Sequence, residues 1–200
     1  MVPYDTCKHF ESMNTTVPIM LRSNAIFSDC GRYRYWLERI WDLEAPILPW
    51  VLLNGSTADS VRNDPTVRRV IGFTRQWEFG GLWLVNSYAA MATNPRDLLA
   101  MDNNAGPRNR HYVQKTIRDA WRHVRKFRVT QELPVVVGWG NHGARGQQDM
   151  RVLDWIGRSG VPVRLLCLGV TKLGCPRHPL YCAADTAPVD YCGRESHRQT

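Results

Sequence analysis

The sequence predicts an α/β domain of three layers, in which a mainly parallel, four-stranded central sheet carries helices on both faces. Apolar runs of strand length alternate along the chain with amphipathic segments. The runs are apolar almost throughout, which is typical of strands that are covered on both faces. The chain has 200 residues, of which 44% are hydrophobic, and this is enough for one sizeable core. We therefore predict a single domain over residues 1–200.

The elements follow from these patterns in chain order. The predicted strands are WVLLN, GLWLVNSYA, ELPVVVGWG and VPVRLLCLGV. Helices are predicted for DPTVRRVIGFTRQWEFGG, which ends in glycines, and for QQDMRVLDWIGRSG, which Gly160 closes. An earlier segment, CGRYRYWLERIWDL, fits a helix by its apolar spacing and a strand by its aromatic content, and we favour the strand.

Composition limits the functional classes. The net charge of +8 and the pI near 9.5 favour a polyanionic partner such as nucleic acid. No apolar run approaches the roughly 20 residues that cross a bilayer, and the N-terminus lacks the apolar core of a signal peptide. We therefore expect a cytoplasmic protein that binds no membrane. The six cysteines show no CxxC spacing, so free thiols are expected.

A basic helix is predicted for PRNRHYVQKTIRDAWRHVRKFR. Its apolar residues recur at helical spacing, and a second set of residues follows the same spacing two positions out of phase. This second set is Lys115, Arg118, Arg122 and Arg125. Two positions are about 200° of helix, so the basic stripe faces away from the core. It is either a solvated face or a surface that follows DNA phosphates.

Polar residues follow the end of each predicted strand. They are Asn54, Ser56 and Asp59 after the first strand, Asn86, Ser87 and Tyr88 in the second, Asn141 and His142 after the third, and Thr171, Lys172, Arg177 and His178 after the fourth. In an open parallel sheet, ligands bind beyond the carboxyl ends of the strands. We therefore expect Asn54, Asn86 and His178 to line one cleft at that edge. Taken alone, STAD after Asn54 could simply cap the next helix.

Two weaker patterns carry less information. GWGNHGARG is rich in glycine, but it matches neither the dinucleotide-binding pattern nor the P-loop pattern. The possible zinc ligands Cys175, His178, Cys182, Cys192 and His197 are irregularly spaced. We therefore predict no metal site and no cofactor.

The ordered series LLNGSTAD, DPTVRR, LVNSYA, VVVGWGNHG and CLGVTKLGCPRHPLY resembles an uncharacterised bacterial and phage domain family over residues 27–182. The order of these motifs also resembles that of the uracil-DNA glycosylase superfamily, which implies that superfamily's fold and a monofunctional glycosylase acting on double-stranded DNA. In this resemblance Asn54 positions the attacking water, Asn86 reads the base edge, and His178 stabilises the departing base. The four-cysteine iron–sulfur signature of some branches is not evident.

The chemistry of base excision assigns the remaining candidates. Cleavage of an N-glycosidic bond needs a group that positions water and a donor to the leaving base, here Asn54 and His178, with Asp59 or Asp64 as alternative general bases. The candidates for substrate contacts are Asn86, Ser56, Ser87, Tyr88, Asn141 and His142. The candidates for DNA contacts are Lys172, Arg177, Arg118, Arg122 and Arg125 as phosphate grips, and Leu180 or Tyr181 as a wedge.

The choice of base is less sharply defined. Gly55 stands where the resembled family has proline, Ser87 stands where it has a bulkier apolar residue, and glycines surround Asn141 and His142. Together they indicate a roomy, polar pocket for a bulky modified base. The resemblance extends to anti-phage glycosylases that remove glucosylated hydroxymethylcytosine from phage DNA, and uracil is the conservative alternative. A monomeric enzyme is expected. The rival hypotheses are an enzyme acting on free nucleosides or nucleotides and a non-catalytic nucleic-acid-binding module.

Overall fold

The computed structural model describes residues 20–127 and 131–194. Within these ranges, one sheet of seven strands runs in the order β1-β2-β4-β3-β5-β6-β7. The strands are β1 Arg22–Phe27, β2 Arg34–Ile40, β3 Ile47–Gly55, β4 Gly81–Met91, β5 Leu133–Gly138, β6 Val163–Cys167 and β7 Val189–Asp190. The helices are α1 Pro65–Gln76, α2 Pro95–Ala100, α3 Asn109–Val124 and α4 Gln148–Gly157. No helix in the described ranges is both long and apolar enough to span a bilayer.

The sheet is mixed, so the predicted mainly parallel, four-stranded sheet is wrong, although the α/β class holds. The parallel pairs are β4–β3, β3–β5 and β5–β6, and the antiparallel pairs are β1–β2, β2–β4 and β6–β7. The favoured strand in CGRYRYWLERIWDL is confirmed as β2. The sequence pattern missed β1 because most of its residues are exposed, and it missed β7 because β7 has only two residues.

Helices cover both faces of the sheet because β3 alternates between two cores. Trp50 and Leu52 pack towards α1, and Val51 and Leu53 pack towards α3 and α4. The Trp50 indole stacks on Trp77 at a centroid separation of 5.7 Å. Since every side chain of the strand from Ile47 to Leu53 is buried, β3 forms the centre of the molecule.

A bulge in β2 redirects the side chains at the end of that strand. Ile26 of β1 pairs with Trp36, and the next residue, Phe27, pairs with Arg34, so Tyr35 is skipped. Tyr35 and Trp36 consequently both pack into the core beneath α3, and Arg34 turns to the opposite face. Bulges of this kind re-aim a side chain and are over-represented beside functional sites.

Arg39 ties the loop that follows β3 to β2. Its side chain is 1% exposed, and its Nε donates to Asn63 Oδ1 at 2.7 Å. Its Nη1 donates to the carbonyl oxygen of Glu38, and its Nη2 donates to those of Asp59 and Arg62. Every nitrogen of this buried guanidinium therefore has a protein acceptor.

Replacing Arg39 should destabilise the fold. Arg39→Met would leave the loop carbonyls without their donor, which we expect to lower the free energy of unfolding by about 1–3 kcal/mol. Urea denaturation measures the change. The exposed Arg151→Met is the matched control and should stay within about 0.5 kcal/mol of the parent protein. Equal stability of the two variants would contradict a structural role for Arg39.

Candidate active-site cleft

A cleft of about 500 Å³ lies at the carboxyl edge of the parallel strands. Its walls come from the end of β3, the start of α1, and the loops that follow β4, β5 and β6. The predicted site residues that line it are Asn54, Ser56, Asp64, Asn141, His142, Arg177, His178, Leu180 and Tyr181. Asp59, Asn86, Ser87, Tyr88, Lys172, Arg118, Arg122 and Arg125 are not in its lining. The strand ends thus bring residues far apart in sequence into one space.

The backbone fixes the orientation of the Asn54 amide. Its Nδ2 donates to the carbonyl oxygen of Gly55 at 2.6 Å and to that of Ala92 at 2.7 Å. Two carbonyl acceptors require the NH₂ group on that side, so the opposite atom is the carbonyl oxygen. Oδ1 of Asn54 has no hydrogen-bond partner among the described residues. The cleft therefore contains a fixed acceptor that can hold a water molecule.

His178 is a neutral imidazole with a defined tautomer. It caps the short 3₁₀ turn Pro179–Tyr181, and its Nδ1 accepts a hydrogen bond from the Leu180 N–H at 3.4 Å. Burial lowers the pKa of His178 to about 4, against an opposing influence of Asp64. Since Nδ1 is the acceptor, the proton of the neutral ring lies on Nε2. His178 is thus suited to donate a hydrogen bond to a ligand without carrying a charge.

The two predicted carboxylates have different surroundings. Asp64 is 6% exposed and lines the cleft, and its Oδ1 caps α1 by accepting from the Val67 N–H at 2.8 Å. Asp59 instead borders a neighbouring depression, where its Oδ1 accepts from the N–H groups of Arg62 and Val61 at 2.7 Å each. These hydrogen bonds lower the pKa of Asp59. Asp64 is therefore the candidate base in the cleft, and Asp59 stabilises its own loop.

The β4 candidates lie inside the protein, next to the cleft. Asn86 is 1% exposed and pairs in register with Leu52, which lines the cleft, but its amide atoms have no partner among the described residues. The Ser87 carbonyl accepts from Gln148 Nε2 at 2.6 Å and from Asn109 Nδ2 at 3.1 Å. The Tyr88 hydroxyl donates to the Arg145 carbonyl, and burial raises the pKa of Tyr88. In this structure Ser87 joins β4 to the first residues of α3 and α4, and Tyr88 joins it to the segment before α4.

The rim of the cleft comes from the segment after β6. Thr171 Oγ1 donates to Asn141 Oδ1 at 2.7 Å and joins this segment to the loop after β5. Arg177 is exposed, with its Nε donating to the Val170 carbonyl. Leu180 and Tyr181 are 43% and 80% exposed on the 3₁₀ turn. Two exposed large side chains thus stand at the mouth of the cleft.

The basic stripe of α3 lies away from the cleft. The ring of His123, near the end of α3, lies 6.0 Å from that of Trp83, at the start of β4 and therefore at the opposite edge of the sheet. Lys115 and Arg122 both form ion pairs with Asp119. Arg125 lies over the ring of Trp121, and Arg118 is half-buried. Much of the stripe's charge is engaged within its own helix.

Arg34 is the charged residue of the cleft lining that the sequence analysis did not predict. It is 2% exposed, and the bulge at Tyr35 turns it into the cleft. The available signal was an arginine within an aromatic, strand-like segment, but without the bulge its direction could not be read. Gly55 leaves space for it, since a Cβ atom there would lie 3.3 Å from Arg34 Cβ.

Among the described residues, no group of three or more His, Cys, Asp or Glu side chains is placed to hold a metal ion. His197, one of the possible zinc ligands in the sequence, lies outside the described residues.

Comparison with known proteins gives the chain its family. Residues 34–180 match the model of the family described as "Protein of unknown function (DUF1643)", and the chain belongs to that family. The match runs from Arg34 to Leu180 and so includes every strand that contributes to the cleft. No curated protein and no solved structure matched the chain. The resemblance to an uncharacterised domain family is consistent with this result, and no link to uracil-DNA glycosylases was found.

The pKa of His178 gives a direct test of the cleft. In an NMR titration, the ring of His178, assigned by its loss in His178→Gln, should change protonation near pH 4 instead of near 6.5. The unfolded chain takes up this proton at the higher pH, so folding stability attributable to His178 is complete above about pH 6.5. It is lost as the pH falls towards 4. Titration near pH 6.5 would mean that the ring is solvated and that the cleft is more open than described.

Proposed function

We propose that the protein is a DNA glycosylase that hydrolyses the N-glycosidic bond of a modified base in double-stranded DNA and leaves an abasic site. The observation that carries the proposal is the presence, in one cleft, of the fixed acceptor Asn54 and the neutral donor His178. Hydrolysis of this bond needs one group that orients water and another that stabilises the departing base. The two side chains match these needs.

Asn54 and Asp64 together activate the attacking water. The unpartnered Oδ1 of Asn54 can accept a hydrogen bond from water and so orient its lone pair towards the sugar carbon. An amide cannot take up the proton near neutral pH. Asp64 has one oxygen that caps α1 and a second that makes no hydrogen bond to the described residues, so it is the carboxylate available to receive the proton.

His178 has the role of stabilising the departing base. As the bond breaks, the electron pair stays on the base, whose oxygen and nitrogen atoms become stronger acceptors. The Nε2–H of a neutral imidazole can donate to them, and its orientation is fixed by the Leu180 N–H on the other ring nitrogen. His178 is half-buried, so fewer water molecules compete for this hydrogen bond than at a fully exposed site.

Features of the rim favour DNA over free nucleotides. A base inside a duplex must be rotated out of the stack before an enzyme can reach it. Leu180 and Tyr181 are large, exposed and placed at the cleft mouth, as a wedge requires. Arg177 and Lys172 are exposed on the same segment and can contact phosphates. A cleft for free nucleotides has no need of an exposed wedge.

The size of the cleft bears on the choice of base. A volume of about 500 Å³ lies within the range of about 300–1,000 Å³ that is typical of ligand pockets, and it exceeds what an unmodified pyrimidine fills. A pyrimidine that carries a sugar, such as glucosylated hydroxymethylcytosine in phage DNA, can occupy this volume, and polar side chains of the lining such as Ser56 and Asn141 can contact its sugar. Action on such DNA would give the protein a role in anti-phage defence.

The test is incubation with duplex DNA that contains cytosine, uracil, hydroxymethylcytosine or glucosylated hydroxymethylcytosine. Alkali cleavage detects abasic sites, and mass spectrometry identifies the released base. Release of the glucosylated base supports the full proposal, and release of uracil alone supports the reaction with an ordinary substrate. Cleavage of free nucleosides with intact DNA would favour the nucleoside hydrolase. Binding without release would favour a binding module.

Substitution of Asn54 separates chemistry from binding. Asn54→Ala removes the fixed acceptor and should reduce base release by on the order of 100-fold while DNA binding is retained. Asn54→Asp, which keeps the shape and adds an acceptor, should keep more activity than Asn54→Ala. Single-turnover kinetics and a binding titration measure the two effects. Base release by Asn54→Ala at the parent rate would contradict the assigned role.

Substitution of basic residues identifies the surface that contacts DNA. If Lys172 and Arg177 each contact a phosphate, replacing both with glutamine should reduce the slope of log K against log[salt] by about 1.8, at about 0.9 per contact. The matched control replaces Arg118 and Arg122 with glutamine, because both lie on α3 away from the cleft. A larger change in the control than in the rim variant would assign DNA binding to the stripe on α3.

A further inference from the structure

Arg34 is a buried cation whose hydrogen-bonding capacity is mostly unused. It lines the cleft and is 2% exposed. Its Nη1 donates to the Ala58 carbonyl at 2.9 Å. This is the one hydrogen bond that the Arg34 side chain makes to the described residues. Its Nε is buried without a partner, and Arg34 forms no ion pair within the described part of the chain. The guanidinium has five donors, so most of them are available to a ligand.

Arg39, on the same strand, shows what a purely structural arginine looks like in this protein. It is equally buried, yet its three nitrogens donate to four protein acceptors. Because the fold satisfies Arg39 completely and Arg34 hardly at all, scaffold stability does not account for Arg34. A buried charge with so few partners is costly to the folded state.

The local structure nevertheless keeps this charge in the cleft. The bulge at Tyr35 aims Arg34 inwards, and Gly55 leaves the space beside it. Burial lowers the pKa of Arg34 to about 10, with Asp64 opposing the change and Arg39 adding to it. Arg34 thus remains a cation at neutral pH. Asp64 also lines the cleft and acts electrostatically on Arg34, but the two form no ion pair in the described part of the chain.

We propose that Arg34 is a catalytic residue that binds negative charge on a heterocyclic ligand in the cleft. Under the proposed glycosylase function, on which this catalytic step rests, the ligand is the departing base. The bond between the sugar carbon and the base nitrogen breaks, and its electron pair remains on the base. The water oxygen forms the new bond to that carbon, and Asp64 takes the water proton. Arg34 exchanges no proton and stabilises the anion by charge and hydrogen bonding.

This role complements that of His178. A neutral imidazole supplies a hydrogen bond but no charge, so a full positive charge must come from another group. Arg177 also lines the cleft, but it is exposed, and solvent screens its charge. Arg34 lies where water is excluded, and a charge there acts on its ligand more strongly.

The first experiment tests anion binding without any DNA. Barbiturate, a pyrimidine that is ionised near neutral pH, is titrated calorimetrically against the full chain, with neutral uracil as its uncharged counterpart. We expect tighter binding of barbiturate, loss of that preference by about 10- to 100-fold in Arg34→Gln, and partial retention in Arg34→Lys. Arg75→Gln is the control, because Arg75 is half-buried and, like Arg34, has a buried Nε without a partner, but it lies outside the cleft lining.

The melting temperature of the protein without ligand gives a second test, because a structural role for Arg34 predicts a different result from a ligand-binding role. Arg34→Met removes an uncompensated buried charge, so without ligand its melting temperature should equal or exceed that of the parent protein. Arg39→Met, which deprives backbone acceptors of their donor, should melt at a lower temperature. A loss of stability in Arg34→Met as large as that in Arg39→Met would overturn the inference.

The third experiment measures base release as a function of leaving-group acidity. In single-turnover assays, Arg34→Gln should slow release of a poorly acidic base by about 100-fold and release of a more acidic base, such as a halogenated uracil, by much less. The effect should lie in the rate of the chemical step and not in DNA affinity. A uniform loss for all bases would overturn the role of Arg34 in stabilising the anion.

The outcomes separate this inference from the proposed function. If the parent protein releases no base from any DNA but prefers barbiturate through Arg34, the glycosylase proposal fails and the anion site stands. If it releases bases while Arg34→Gln is unaffected, the function stands and the inference fails. If Arg34→Gln does not fold, the test of the anion site rests on the preference for barbiturate over uracil, compared between the parent protein and Arg34→Lys. Equal binding of uracil and barbiturate by the parent, or binding of neither, overturns the anion site.

Discussion

The parallel pairing of β3 with β4 on one side and β5 on the other is the constraint on which the rest of the structure depends. It places β3 at the centre of the sheet, where helices cover both faces, so Trp50 and Leu52 pack against α1 while Val51 and Leu53 pack beneath α3 and α4. It also aligns the strand ends, so the loops behind them share one edge. The cleft lies where the apolar run of β3 gives way to Asn54 and the chain leaves the sheet.

Burial then determines the chemistry of the cleft. The same desolvation acts in one direction on both basic side chains, lowering the pKa of His178 to about 4 and that of Arg34 to about 10. The consequence differs because the two groups start from different values. His178 becomes a neutral donor at physiological pH, while Arg34 stays charged. One cleft thus holds a neutral donor, a fixed cation and the Asp64 carboxylate.

The strands that pair antiparallel with the parallel part of the sheet also support the site. β2 supplies both Arg39, which ties the loop after β3 to the sheet, and Arg34, which enters the cleft. β7 pairs with β6, and the nearby Tyr191 hydroxyl donates to the Gly174 carbonyl in the segment that leads to His178. β2 and the segment after β7 therefore support the cleft that forms at the ends of the parallel strands.

The sequence by itself determined the strands β3 to β6, the longer helices α1, α3 and α4, and the strand-end residues of the cleft, because apolar periodicity and abrupt polar ends are properties of short segments. Asn54 and His178 could be predicted in this way, whereas Asp64 became a candidate only through the chemistry of base excision. Only the tertiary structure decided that β1, β2 and β7 join the sheet by antiparallel pairing, because an exposed strand, a segment that fits helix and strand alike, and a strand of two residues do not reveal their partners. It also decided that Arg34 enters the cleft, since a one-residue bulge reverses which face a side chain occupies. It separated the α3 stripe from the cleft, because helical spacing fixes a face but not the edge of the sheet at which the helix ends.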